Sequence, residues 1–239
     1  MTLDPPERTL ILPEPPWPSG LDLVYGYSRG LCVAWSSMVV IDRVADGGPR
    51  FATAQREEQE ARLEMRVLDV EASDGSFHAL FRHVPISYRI DGNETLVPAP
   101  TLVYVLHDRY GRVLESTDVH ASPVVELPEM PVAPATAWQE IERSTPPRRV
   151  APVEQVRENR VAAVEPGIIR LVSIFRELSY DSDDGGDPTT FTLDGHGSAD
   201  FDRSWGGFSR QHRESRVVVR QESMRFEVTT AQTLERVDG

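Results

Sequence analysis

Residues 67–88 read VLDVEASDGSFHALFRHVPISY, two strand-like segments on either side of the dipeptide Asp74-Gly75. Both segments are rich in β-branched and aromatic residues, which favour strands. Asp-Gly between two such segments is a strong hairpin signal. This part of the chain therefore predicts an antiparallel β-hairpin.

A similar pattern returns about a hundred residues later. The matching pairs are Val67–Glu71 with Val161–Glu165, Phe81-Arg82 with Phe175-Arg176, Ser87-Tyr88 with Ser179-Tyr180, Asp108-Arg109 with Asp202-Arg203, and Ala34-Trp35 with Ala137-Trp138. Two of these pairs share one offset, because 175 minus 81 and 202 minus 108 both give 94. The alternative is chance similarity between β-rich segments, which a shared offset disfavours. We interpret the pattern as two tandem β-meander repeats.

The predicted fold class is all-β and mainly antiparallel, with at most one or two short helices. The predicted strands are Leu21–Tyr27, Leu31–Val44, Val67–Glu71, Ser76–Ile90, Thr101–Glu115, Val161–Val164, Ile168–Tyr180, Thr189–Leu193, Ser198–Phe201, Phe208–Arg213, Val217–Glu222 and Arg225–Leu234. Residues 55–66 fit either a surface helix or a strand, and we predict a strand. A meander has one apolar face that needs a cover. The repeats therefore join into one curved, half-barrel-like sheet or pack face to face as a sandwich.

Proline-rich segments divide the chain. The predicted parts are an N-terminal arm, a first β repeat, a connector and a second β repeat, at residues 1–20, 21–122, 123–136 and 137–239. Prolines keep the arm extended. The arm either lies along the protein's own sheet or docks a partner by strand addition or through Trp17.

Charge and composition exclude several function classes. The formal net charge is -13 and the sequence contains no lysine. An acidic surface repels phosphate backbones and anionic lipids, so we expect neither nucleic acid nor membrane surface as partner, and no apolar run is long enough to span a bilayer. Without lysine, the chain offers no Schiff base and no phosphate-loop lysine.

Cysteine usage and the start of the chain predict a cytoplasmic location. The single cysteine, Cys32, cannot form an internal disulfide. The first residues lack the basic and apolar regions of a secretion signal. Cys32 lies in the apolar run Gly30–Trp35, which predicts a buried, inert thiol.

No motif identifies a metal or cofactor site. The six histidines are His78, His83, His107, His120, His196 and His212. His78 and His83 are an odd number of positions apart, so they point to opposite faces of a strand. Asp181–Asp187 resembles a calcium loop, but Thr192 holds the twelfth position, where a glutamate is needed. A solvated acidic turn is the favoured interpretation, and whether this segment binds a cation stays open.

Two further patterns predict architecture. Gly195-His196-Gly197 is followed by a strand-like segment, so it lacks the helix start of a dinucleotide site. Asp108-Arg109 and Asp202-Arg203 each precede an aromatic residue and glycine, the composition of a turn whose aspartate accepts backbone amides.

The segments Leu127–Trp138 and Gly195–Asp202, the latter closed by Gly206 or Gly207, resemble bacterial lipoprotein-carrier (Lol-type) half-barrel proteins and their uncharacterised relatives. The resemblance lies in the pattern of short strand-like segments and turns, and it covers about residues 20 to 235. It implies an antiparallel sheet curled around an apolar groove, and an apolar ligand or a lipidated partner. It assigns no functional residue.

We predict a non-enzymatic binding or scaffolding protein that acts through a curved β-sheet on an apolar ligand or a protein partner. No catalytic, cofactor-binding or metal-binding residue is assigned, and no cofactor is predicted. The alternative is a metal-assisted hydrolase whose site is assembled from scattered carboxylates and His196.

Overall fold

A computed structural model describes residues 7–12, 20–47, 52–117, 124–145, 148, 152–182, 185, 187–222 and 224–237. These ranges contain strands, turns and extended segments, and no helix. The predicted all-β class is confirmed. Within the same ranges, no helix has the length and apolar character needed to cross a bilayer.

Thirteen strands form one antiparallel sheet in the described part of the chain. They are β1 Glu7–Ile11, β2 Cys32–Asp46, β3 Ala52–Val70, β4 Phe77–Ile90, β5 Asn93–Glu94, β6 Thr101–His107, β7 Val113–Ser116, β8 Ala137–Ser144, β9 Val153–Val164, β10 Ile168–Asp181, β11 Thr189–Asp202, β12 Gly207–Gln221 and β13 Met224–Val237. The region 55–66 lies inside β3, which confirms the strand interpretation over the helix.

The strand order shows how the two halves of the chain join. The path runs β1-β8-β9-β10-β11-β12-β13-β2-β3-β4-β6-β7, and β5 pairs with β4. The last strand, β13, pairs with β2 from Arg225 opposite Asp46 to Val237 opposite Ala34. The sheet does not close into a barrel, and it is a single curved sheet. The sandwich alternative is therefore wrong, since the halves meet edge to edge.

Two non-sheet segments cover one end of the concave face. The first, residues 20–31, buries Leu23, Tyr25 and Tyr27, and the second, residues 124–136, buries Leu127 and Met130. The segments are bridged by reciprocal backbone hydrogen bonds of 2.8 and 2.9 Å between Leu21 and Val132. Together with inward-facing side chains of the sheet they form the hydrophobic core.

The predicted strand Leu21–Tyr27 is wrong in part. The segment has the alternating burial of a strand, but beyond an isolated bridge at Leu21 it joins no ladder. The Tyr25 amide donates to the Arg109 carbonyl, and the Gly26 amide donates to the Gly206 carbonyl. Its polar backbone groups thus bond to turns, because the segment crosses the sheet.

Two pairs of predicted strands are continuous. Thr189–Leu193 and Ser198–Phe201 both belong to β11, and Phe208–Arg213 and Val217–Glu222 belong largely to β12. At Gly195, a Cβ atom would lie 2.5 Å from the Glu214 carbonyl oxygen of the neighbouring strand. Glycine here permits close approach of two backbones.

The segments matched in the sequence lie at corresponding places in the two halves. Val67 and Val161 lie near the ends of β3 and β9, and Trp35 and Trp138 lie near the starts of β2 and β8. Each half therefore runs as a meander in the same order. The duplication itself stays a prediction.

The N-terminal arm lies along the protein's own sheet where it is described. Glu7–Ile11 forms β1 and pairs antiparallel with β8, from Glu7 opposite Arg143 to Ile11 opposite Gln139. Trp17, the predicted docking residue, lies outside the described residues.

Candidate functional site

The part of the concave face that the two cover segments leave uncovered holds a cavity of about 430 Å³. Small-molecule sites typically measure about 300–1,000 Å³. The first half of the chain contributes apolar side chains from three strands, and the second half contributes three more. These six are Leu63, Phe81, Val103, Trp138, Leu171 and Leu234.

The cavity exists because the cover segments reach only part of the concave face. Val124, Val125 and Glu126 of the second segment form one wall. Beyond them, the sheet presents small side chains, among them Ser37 and Gly197. Small residues at these positions leave space that larger side chains would fill.

One wall of the cavity carries two guanidinium groups stacked on one aromatic ring. The Phe175 ring centroid lies 4.6 Å from Cζ of Arg157 and 4.8 Å from Cζ of Arg213. Arg157 is opposite Phe175 in the β9–β10 ladder, and Arg213 is opposite Gly197 in the β11–β12 ladder. Stacking on a ring orients the plane of a guanidinium group.

Arg157 also forms a buried ion pair. Its Nη1 donates to Glu140 Oε2 at 3.0 Å, and the Glu140 side chain is 2% exposed. A carboxylate at this depth needs a nearby cation to offset its desolvation. Glu140 therefore fixes Arg157 in place at the cavity wall.

Two donors beside the cavity have no acceptor within the described residues. They are Nε1 of Trp138, a residue 4% exposed, and Nε of Arg157. Both residues line the cavity. The two nitrogen atoms have almost no accessible surface, so it is other atoms of these two residues that face the cavity.

Besides the two arginines, the cavity lining holds three ionisable residues, Glu126, His212 and His83. His83 faces the cavity between Thr101 of β6 and Leu63 of β3. Desolvation lowers the pKa of His83. The imidazole is therefore neutral at pH 7. The positive charge beside Phe175 comes from Arg157 and Arg213.

Three potential metal ligands meet on the outer, convex face. His196 of β11 is directly opposite Glu214 of β12, and His212 is two residues before Glu214. Their ligand atoms all lie within 4.8 Å of one another. Alternation places these side chains on the face opposite Gly197 and Arg213. The structure thus brings two of the six histidines together, which sequence spacing did not indicate.

The other histidines are structural in the described part of the chain. His107 is fully buried and stacks on Phe77 at 4.9 Å between ring centroids. Desolvation lowers the pKa of His107 to about 3, so this ring is neutral. His78 Nδ1 lies 2.5 Å from the Tyr104 hydroxyl. His78 and His83 face opposite sides of β4 as predicted, and His120 lies outside the described residues.

Both predicted aspartate turns are confirmed. Asp108 Oδ1 accepts the amides of Tyr110 and Arg112, each at 2.9 Å, and Gly111 has a φ of +87°. Asp202 Oδ1 accepts the Ser204 amide at 2.8 Å, and Gly206 has a φ of +70°. Neither Arg109 nor Arg203 lines the cavity. These residues close turns and form no site.

The prediction of a buried Cys32 is wrong. Cys32 is exposed, whereas Val33 and Trp35 are buried. The apolar run Gly30–Trp35 enters β2, and strand alternation sends every second side chain outward. Cys32 falls on the outward positions.

The acidic segment Asp181–Asp187 begins at the end of β10. Asp181 Oδ1 accepts the Thr190 hydroxyl at 2.6 Å, and the Asp187 carbonyl accepts the Ser182 hydroxyl at 3.3 Å. These bonds are those of a turn between strands. Asp183 and Asp184 lie outside the described residues. Whether this segment binds a cation therefore stays open.

Sequence reasoning assigned no residue of the cavity wall to a binding site. Arg157, Arg213 and Phe175 belong to three different strands, and no local motif connects them. One signal was available: Phe175 matches Phe81 in the aligned segments, and both line the cavity.

Comparison with models of known protein families gives no match, and a search of curated proteins finds no relative. The function must therefore be argued from the geometry of the cavity and of the convex cluster.

Proposed function

We propose that this protein is a non-enzymatic binding protein that holds a small amphipathic molecule in the concave cavity. The ligand has an apolar body and a head group that accepts hydrogen bonds, with a carboxylate as the best fit. The single observation that carries the proposal is a cavity of about 430 Å³ whose wall holds the guanidinium groups of Arg157 and Arg213, both stacked on Phe175.

The apolar part of the ligand follows from the lining. Leu63, Phe81 and Val103 lie on strands of the first half, and Leu171 and Leu234 lie on strands of the second. Burying a hydrocarbon surface against them gains roughly 25 cal/mol per Å². A purely apolar ligand would place hydrocarbon against the guanidinium groups of Arg157 and Arg213, which weakens its binding.

The charge of the head group follows from the guanidinium groups. Arg157 and Arg213 both stack on Phe175, while the whole chain carries a net charge of -13. A hydrogen bond between guanidinium and carboxylate is charge-assisted and stronger than a neutral one. An ammonium head group would meet these two cations, and the Glu126 carboxylate at the wall is already paired with Arg112 Nε at 3.1 Å.

The alternative of a metal-assisted hydrolase has weaker support. Its candidate residue His196 lies in the cluster with His212 and Glu214 on the convex face. The cavity that would hold a substrate opens on the concave face. The concave cavity is therefore the better basis for a function.

Calorimetric titration tests the proposal. We expect a medium-chain fatty acid to bind with one site per chain, and the matched alkyl amine to bind at least tenfold more weakly. Arg213→Met removes one of the two guanidinium groups at the wall and should weaken binding of the acid about tenfold. Equal affinity for acid and amine would contradict the assignment of the head group.

A matched pair of variants locates the site. Ser37 is buried at the cavity wall, and Ser36, one residue earlier in β2, is exposed on the other face. Ser37→Phe fills the cavity and should abolish binding, whereas Ser36→Phe should leave it unchanged. Full binding by a folded Ser37→Phe protein would place the ligand elsewhere and overturn the proposal.

A further inference from the structure

The convex cluster of His196, His212 and Glu214 has the geometry of a metal site. His196 Nε2 lies 3.6 Å from Glu214 Oε2, and His212 Nε2 lies 3.1 Å from Glu214 Oε1. In a tetrahedral zinc site with metal–ligand bonds of about 2.0–2.1 Å, ligand atoms are about 3.3 Å apart. Each imidazole nitrogen thus lies at about that distance from one oxygen of the carboxylate, and one ligand atom from each of the three residues lies within 4.8 Å of the others.

The sheet holds the three ligands in place. His196 and Glu214 are a cross-strand pair of the β11–β12 ladder, and His212 and Glu214 are two residues apart on β12. All three side chains therefore project from one face of two hydrogen-bonded strands. Two imidazoles and one carboxylate are a ligand set that zinc prefers, and they leave one coordination position open.

A neighbouring hydroxyl orients one of the imidazoles. His212 Nδ1 lies 3.2 Å from Thr233 Oγ1, its cross-strand partner on β13. When Nδ1 carries the proton and donates to this hydroxyl, the lone pair of Nε2 points towards Glu214. Histidine ligands of metals almost always have such a partner on the second nitrogen.

We propose that His196, His212 and Glu214 bind one divalent transition-metal ion, foremost Zn²⁺, on the convex face of the sheet. The fourth position takes water or a donor from another molecule. The three ligand side chains project from the face opposite the cavity, and His212 also contributes to the cavity lining.

Titration of the full, untagged chain with zinc chloride tests the site. We expect one zinc ion per chain, and cobalt in its place should give the visible absorption of tetrahedral coordination. Glu214→Gln and His212→Ala should each lower zinc affinity about a hundredfold or more. Thr233→Val removes only the orienting hydroxyl and should lower affinity about tenfold, within the range typical of such partners.

His78→Asn is the matched control. His78 also lies on a strand with a carboxylate in reach, Glu71 Oε1 at 3.7 Å, but it has no second imidazole in its group. It should leave zinc affinity unchanged. Absence of stoichiometric zinc binding, or equal affinity in wild type and Glu214→Gln, would overturn the proposal. Since all three ligands are at least partly exposed, their variants are expected to fold.

Discussion

The indole Nε1 of Trp35 donates a hydrogen bond of 3.0 Å to the carbonyl oxygen of Phe208, a residue 173 positions further along the chain. Trp35 is 5% exposed and Phe208 is 2% exposed. The bond links β2 of the first half to the start of β12 in the second.

Trp35→Phe should therefore destabilise the protein more than Trp138→Phe. Both changes remove the same atoms from a buried position, but only Trp35 has a bonded indole. Loss of that bond leaves a buried carbonyl unsatisfied, at a cost of about 1–3 kcal/mol. Denaturant unfolding of the two variants measures the difference. Equal free energies of unfolding would mean that the Trp35 bond contributes nothing.

Acid should destabilise the protein through His107. Its pKa is about 3 in the folded chain, against 6.5 for the unperturbed group. Between these values the unfolded chain binds a proton that the folded chain does not, so stability falls as the pH decreases from 6.5 towards 3. Above pH 6.5 this group contributes no dependence. His107→Gln should show a shallower decline in free energy of unfolding over the same range, and an unchanged slope would contradict this account.

Gly111→Ala should be much more damaging than Gly92→Ala. Both glycines have positive φ, +87° and +77°. A Cβ at Gly111 would lie 2.6 Å from Tyr25 Cε2 and 2.9 Å from the Val125 carbonyl oxygen, whereas at Gly92 it meets no atom within 4 Å. The backbone costs about 1–2 kcal/mol at either position, and crowding adds about 1–3 kcal/mol at Gly111. Thermal unfolding should separate the two variants, and similar melting temperatures would show that the Gly111 turn can relax.

Arg157→Met should destabilise by about 3 kcal/mol, because it removes a cation from the buried Glu140 carboxylate. The double variant Arg157→Met with Glu140→Met replaces both charges and should recover at least half of that loss. Chemical denaturation gives both values. A double variant less stable than the single would show that Glu140 is stabilised mainly by other contacts.

The strands could be predicted from sequence because their signals are local. Alternation in Leu63, Met65 and Val67 identified β3, and Asp74-Gly75 marked the hairpin that follows. The cavity and the convex cluster could not be predicted. They depend on which residues of β11 and β12 lie opposite each other, and a shift of one residue would separate His196 from Glu214.

The crossing segments were also beyond sequence reasoning. Leu21–Tyr27 has the composition of a strand, but its backbone bonds to turns of both halves. Where such a segment lies is decided by the curvature of the whole sheet. The size of the cavity depends on that same curvature, so no local sequence pattern predicts it.

The pairing of β13 with β2 has a consequence during synthesis on the ribosome. β2 ends at Asp46 and its partner begins at Met224. At about 5–20 residues per second, the β2 edge waits roughly 9–36 s for its partner to be made. Until then an apolar strand edge is open to wrong partners. Gln232 and Leu234 of β13 also line the cavity, so the cavity wall is complete only after β13 has been made.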